Sequence, residues 1–171
     1  MTITPTDPAN PQVAAIRQDA ATSYGALNQL IDGPLAALAP EKLYREAAEN
    51  EWTIMENLAH VVEFMPYWAN EVAKLLAEPG RNFGRVATDE RRIKEIADHA
   101  HDSLDQIKTM LPISYARLQE VLASLRDSDL VITGKHIRYG EKTLAWFIED
   151  FITGHLRAHN RQIEEAMRAM S

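Results

Sequence analysis

Apolar side chains at Val13, Ile16, Ala20, Tyr24, Leu27 and Ile31 recur at steps of three and four, which predicts a first amphipathic helix. Gly33-Pro34 is expected to end it. The stretch 35–51 is rich in small residues, and Pro40 starts at most a short turn of helix. Ile54, Leu58, Val61, Met65, Trp68, Val72 and Leu75 then mark a second helix. Its start is a capping box, Thr53-Ile-Met-Glu56, in which hydroxyl and carboxylate satisfy each other's free backbone donors. Pro79-Gly80 closes it. Pro66 lies inside the run and removes the hydrogen bond to the Val62 carbonyl, so a bend is expected there.

A polar connection at 81–88 leads to a short charged helix around 89–99, with which a third helix is either continuous or in sequence. That third helix carries Leu104, Ile107, Leu111, Leu118, Val121 and Leu125, with Pro112 as a second kink. The stretch 131–140 holds β-branched residues and two glycines, which suits either a small hairpin or a loop. A fourth helix spans about 142–169, with Leu144, Ile148, Phe151, Ile152, Ile163, Ala166 and Met170 on one face. Four long amphipathic segments without a convincing sheet predict an all-α fold, an antiparallel four-helix bundle whose long connections allow crossovers. Residues 1–12, with Pro5, Pro8 and Pro11, read as a flexible N-terminal arm, and 13–171 as a single domain.

Composition narrows the function. With 171 residues, 46% hydrophobic and 25% charged, the chain reads as an ordinary soluble domain. A net charge of -7 argues against a nucleic-acid groove, which needs clustered Lys and Arg. The most basic run, Arg91-Arg92 with Lys94, lies among Asp89, Glu90 and Glu95 and reads as a solvated helix face. The absence of cysteine removes disulfides, thiolate metal sites and a cysteine nucleophile, and fits a reducing compartment. Residues 1–12 lack the charge and apolar run of a secretion signal, and the charge-free stretch 20–31 is shorter than the roughly 20 residues of a membrane span. The expectation is a cytoplasmic protein with no membrane or nucleic-acid partner.

Among chemical motifs, phosphate-cradling glycine loops, a Gly-x-Ser-x-Gly elbow, His-Glu-x-x-His and Glu-x-x-His are all missing. His99 and His101 stand two apart, on different sides of a helix, and read as surface residues. His155 and His159 stand four apart, one helical turn above each other, so both imidazoles can grip one ion. They also fall near the middle of the fourth helix's apolar stripe, where each ring needs a partner for its polar nitrogens. On periodicity His60 lies at the edge of the second helix's stripe, with structural and functional roles equally open.

Trp52-Thr53-x-x-Glu56-x-Leu58-x-His60, followed by His155-x-x-x-His159-x-x-Gln162-Ile163, resembles the DinB-like superfamily of DinB/YfiT-like metalloenzymes. The resemblance covers the second and fourth helices well, the first and third by length and pattern. It implies a four-helix bundle with crossover connections, commonly a homodimer. It also implies a divalent ion, often zinc or nickel, on His60, His155 and His159. Three neutral imidazoles leave a position open, as in a catalytic site. Characterised relatives are transferases and isomerases that use bacillithiol or mycothiol, which implies a small thiol and an electrophilic small-molecule substrate. Metal-assisted hydrolysis and a non-catalytic, stress-associated dimerisation module are the competing expectations. No acid–base group is assigned. Glu56 and Glu63 either orient His60 or lie on an exposed face, the latter favoured; Tyr24 and Asn28 are expected to line the cavity, and Trp68 and Trp146 to anchor the core or a dimer interface.

Overall fold

The structure, a computed structural model, describes residues 9–170. Most of the expected N-terminal arm lies outside the described residues. Helix α1 runs over Pro11–Leu30, with proline at its first turn, where a missing N–H costs nothing. Its free donors are met from a distance: the Gln12 and Val13 amides donate to the Asp127 carboxylate at 3.1 and 2.9 Å. Gly33-Pro34 does not stop the helix. The chain widens instead into a π-helical turn, Ile31–Leu35, which accommodates Pro34 and buries both Ile31 and Leu35.

Helix α2, Ile54–Ala77, opens on the expected capping box and contains Pro66. The Val62 carbonyl left without its helical donor accepts instead from the Ser114 hydroxyl at 2.8 Å. Helix α3, Glu90–His99, and helix α4, Leu104–Ser124, are separate helices, because Ser103 and Gln106 form a second capping box that starts α4 afresh. The stretch after α4 resolves as a hairpin: β1, Thr133–His136, pairs antiparallel with β2, Gly140–Thr143. Residues 80–83 hydrogen-bond to β1 as well, tying the α2–α3 connection to the hairpin. The last segment is α5, Leu144–Ile148, a π-helical turn over Glu149–Thr153, and α6, Gly154–Ala169.

Helix α2 packs against α4 and α6, and α1 packs against the same two helices from the other side. Consecutive α1 and α2 therefore face each other across a diagonal, and the connection between them crosses the end of the bundle. Because α2 has neighbours on several sides, 16 of its 24 residues are buried. A helix so enclosed keeps only a narrow solvent face, around Asn70 and Lys74, well away from His60. Among the described residues no helix is long and apolar enough to cross a membrane.

Candidate metal centre

Helices α2 and α6 bring His60, His155 and His159 together, with one ring nitrogen of each within 4.8 Å of the others. His60 is 2% exposed, so its sequence-based place at a stripe edge is corrected: α2 is enclosed there as well. His155 and His159 stack with ring centroids 4.7 Å apart, and Phe64 stacks on His155 at 4.5 Å. The π-helical turn just before His155 sets its rotation about the helix axis. Gly154 permits that turn, since a Cβ there would meet the Glu149 carbonyl oxygen at 2.5 Å.

The hydrogen bonds orient the rings and engage Nδ1 of His60 and His159. The Asn57 amide nitrogen donates to the Thr53 carbonyl at 2.9 Å, so Asn57 Oδ1 is an acceptor. It lies 2.9 Å from His159 Nδ1, which must carry the proton. His60 Nδ1 donates to the Glu63 carboxylate at 3.1 Å. The His155 ring donates to the Phe151 backbone. The Nε2 atoms of His60 and His155 face each other at 3.3 Å.

Burial holds all three rings neutral. It pushes His60 far below the ordinary imidazole range, and the repulsion that protonated His159 or His155 would exert adds to the effect. His155 falls to about 4 and His159 to about 3, burial being the main cause in both and Arg92 a further one. Neutral imidazole is the form that binds metal. Two Zn–N bonds of about 2.0–2.1 Å at a tetrahedral angle span roughly 3.3 Å, the separation seen between the two Nε2 atoms. The donor set therefore fits a divalent ion.

Around the rings, Glu63 is buried and holds both His60 and the Arg85 guanidinium, so the reading of Glu63 as an exposed-face charge is overturned. Arg85 in turn lies over the Tyr67 ring at 3.7 Å, and burial lowers its pKa to about 10. Glu56 is confined to its capping box. Arg92 departs from a solvated face: its Nη2 stands 3.5 Å from His60 Nε2, and its guanidinium faces the Trp52 ring at 5.3 Å. A fourth histidine, His136, is buried nearby, but both its nitrogens are engaged, with the Arg85 carbonyl and the Arg138 amide. His99 pairs with Asp102 and His101 is exposed, as expected.

Two cavities open onto the histidines. One, of about 280 Å³, lies beside the hairpin and includes His60, His155, Arg85, Arg92, Arg138 and Tyr139 in its walls. The other, of about 780 Å³, is bordered by Trp52, all three histidines, Gln162 and Glu165. Tyr24 and Asn28 line neither: Tyr24 stacks on Tyr115, and Asn28 hydrogen-bonds back to Tyr24. Trp68 is a core residue that also walls the smaller cavity, while Trp146 packs against Phe147 and Tyr139. Nothing in the sequence pattern signals Arg92 or His136, because their orientation depends on how α3 and the hairpin fold back over α2.

A family model described as the DinB superfamily matches residues 20–163. Among solved structures, YfiT from Bacillus subtilis, described as "a probable metal-dependent hydrolase with an unusual four-helix bundle topology", has a TM-score of 0.77 at 17% identity, covering 98% of this chain and 93% of its own. A mycothiol-dependent maleylpyruvate isomerase has a TM-score of 0.60 at 13% identity, covering 93% of this chain, which spans 60% of that longer one. The four-helix bundle protein TT2238 has a TM-score of 0.56 at 18% identity, covering 93% of this chain and 98% of its own. At these identities the likeness is one of fold. No curated protein matches significantly.

Proposed function

The chain belongs to the DinB superfamily, and from its three converging imidazoles we infer a divalent-metal-dependent enzyme that activates a small nucleophile. The reading rests on one observation above the others: one ring nitrogen each of His60, His155 and His159 lies within 4.8 Å of the others, with the Nε2 atoms of His60 and His155 3.3 Å apart. A divalent ion on His60, His155 and His159, zinc or nickel by the family resemblance, supplies Lewis acidity that lowers the pKa of a thiol or water. The chain's own residues keep the rings neutral by burial and aim them through Glu63, Asn57 and the Phe151 backbone. Phe64 and Trp52 wall the rings with apolar surface and limit water around them.

A thiol-dependent transfer to an electrophilic carbon is the favoured reaction class. Two cavities share His60, His155 and Arg92, which gives room for a nucleophile on one side and an electrophile on the other. The chain has no cysteine, so the thiol comes with the substrates. The mycothiol dependence of the isomerase that shares the fold points the same way. Metal-assisted hydrolysis is the second reading, carried by the description of YfiT. The homodimer implied by the resemblance belongs to this proposal, with exposed Ile113, Val131 and Ile137 as apolar surface for it; light scattering measures the mass directly.

The deciding experiment incubates metal-free and zinc-loaded protein with a panel of low-molecular-weight thiols and an electrophilic aromatic substrate, and in parallel with activated esters. Zinc-dependent consumption of both thiol and electrophile, abolished in His159→Ala, is the expected result. Ester cleavage without thiol consumption would transfer the assignment to hydrolysis. No turnover of either kind with any divalent metal would leave a non-catalytic module.

A further inference from the structure

The smaller cavity reverses the charge of the molecule around it. The chain carries a net charge of -7, yet three arginines and no carboxylate line this cavity of about 280 Å³. Arg85 is accounted for by Glu63. Arg92 and Arg138 are not: among the described residues neither has a carboxylate within ion-pair distance. Arg92 donates through Nη1 only to the Ala87 carbonyl, at 2.9 Å, and Arg138 lies over the Tyr139 ring at 5.5 Å. Like charges gathered around a largely apolar cavity repel one another unless an anion joins them. The Arg92 guanidinium also reaches within 3.5 Å of His60 Nε2, so a group held by Arg92 is already beside the three histidines.

We propose that this cavity binds the oxyanion head group of a small substrate, a carboxylate or a phosphate, between Arg92 and Arg138, and so presents the adjoining atoms to the open side of the histidine cluster. The planar fork of a guanidinium matches either group with paired hydrogen bonds. The volume lies at the small end of ligand sites, about 300–1,000 Å³, and suits a head group rather than a whole large molecule. The remainder of the substrate then extends into the larger cavity, which shares Arg92 with the smaller one. A neutral substrate would leave both guanidinium groups without a counter-charge. The assignment deepens the metalloenzyme reading and rests on it for the meaning of the neighbouring histidines.

The test is binding, measured on the full chain with and without zinc. Propionate, succinate and inorganic phosphate are titrated beside the neutral amides of the two acids, followed by calorimetry and by the fluorescence of Trp68 and Trp52. Saturable binding of the anions, with the amides at least about tenfold weaker, is expected. Arg138→Gln and Arg92→Gln should each weaken anion binding by about tenfold or more, and Arg117→Gln, which alters an α4 guanidinium paired with Glu120, should leave it unchanged. Arg138 lies exposed on the hairpin turn, so its variant keeps the test valid even if the Arg92 variant is unstable. The better of carboxylate and phosphate identifies the head group. Equal binding of acid and amide, or indifference to both arginine variants, overturns the anion site. Zinc content is measured on the same samples: full zinc without anion selectivity rejects this inference and spares the metalloenzyme reading. Anion selectivity without zinc binding supports the anion site and rejects that reading.

Discussion

The Nε2 atoms of His60 and His155 face each other at 3.3 Å across the α2–α6 interface. His60 Nδ1 is held by Glu63, the His155 ring by the Phe151 backbone, and His159 Nδ1 by Asn57. Three neutral imidazoles gathered this closely offer a cation a ready-made donor set.

The residues that aim the rings should matter to metal affinity without being ligands. Asn57→Ala frees the His159 tautomer and Glu63→Gln removes the charge behind His60. Each is expected to weaken zinc binding by about 10–100-fold while leaving one ion per chain at saturation. Competition against a chromophoric chelator measures both. Wild-type affinity in the two variants would remove these residues from the account.

The metal-free protein should lose stability as the pH falls. His155 and His159 have folded pKa values of about 4 and 3, below the ordinary 6.5, so the unfolded chain takes up their protons first. Their full contribution is present above about pH 6.5 and is lost as the pH falls, to about pH 4 for His155 and about pH 3 for His159, by up to about 1.4 kcal/mol per pH unit for each. Urea unfolding at pH 7.5 and pH 5 compares the wild type with a His155→Ala/His159→Ala variant. The wild type should show the steeper loss; equal slopes would contradict the burial assigned to the rings.

Gly154→Ala should destabilise, although alanine is ordinarily favoured over glycine inside a helix by about 1 kcal/mol. The added Cβ would meet the Glu149 carbonyl oxygen at 2.5 Å and force the π-helical turn to change. Because His155 follows directly, zinc affinity should fall together with thermal stability. A stabilised variant with intact zinc binding would show that the turn has no part in aiming His155.

Ser114→Ala should cost about 1–3 kcal/mol, since it strips the donor from a buried carbonyl that Pro66 has already deprived of its helical partner. In a Pro66→Ala background the Val62 carbonyl regains a backbone donor, and the same serine substitution should cost much less. A double-mutant cycle by chemical denaturation reads the coupling directly. Additive effects would mean that the serine and the proline act independently.

What the sequence made legible follows from the reach of periodicity. His155 and His159 declare themselves because their four-residue spacing lies on the stripe of a helix with one buried side. His60 does not, because a helical wheel assumes a solvent face and α2 has none at that position; the Trp52-to-His60 motif had to supply it. For the same reason Glu63 read as a surface charge, whereas it is a buried partner of His60 and Arg85. Arg92 and His136 belong to α3 and the hairpin, whose placement over α2 is set by tertiary packing that no local pattern encodes. The π-helical turns at Ile31–Leu35 and Glu149–Thr153 were likewise invisible, since each adds one residue to a turn without breaking the apolar pattern.

The central claim is that His60, His155 and His159 hold one divalent ion, and metal content measures it most directly. Untagged protein, stripped and then dialysed against limiting zinc, should return with one ion per chain, and His155→Ala and His159→Ala should each return nearly empty while remaining folded by circular dichroism. Metal-free wild-type protein after the same treatment, or variants that retain a full ion, would contradict the account.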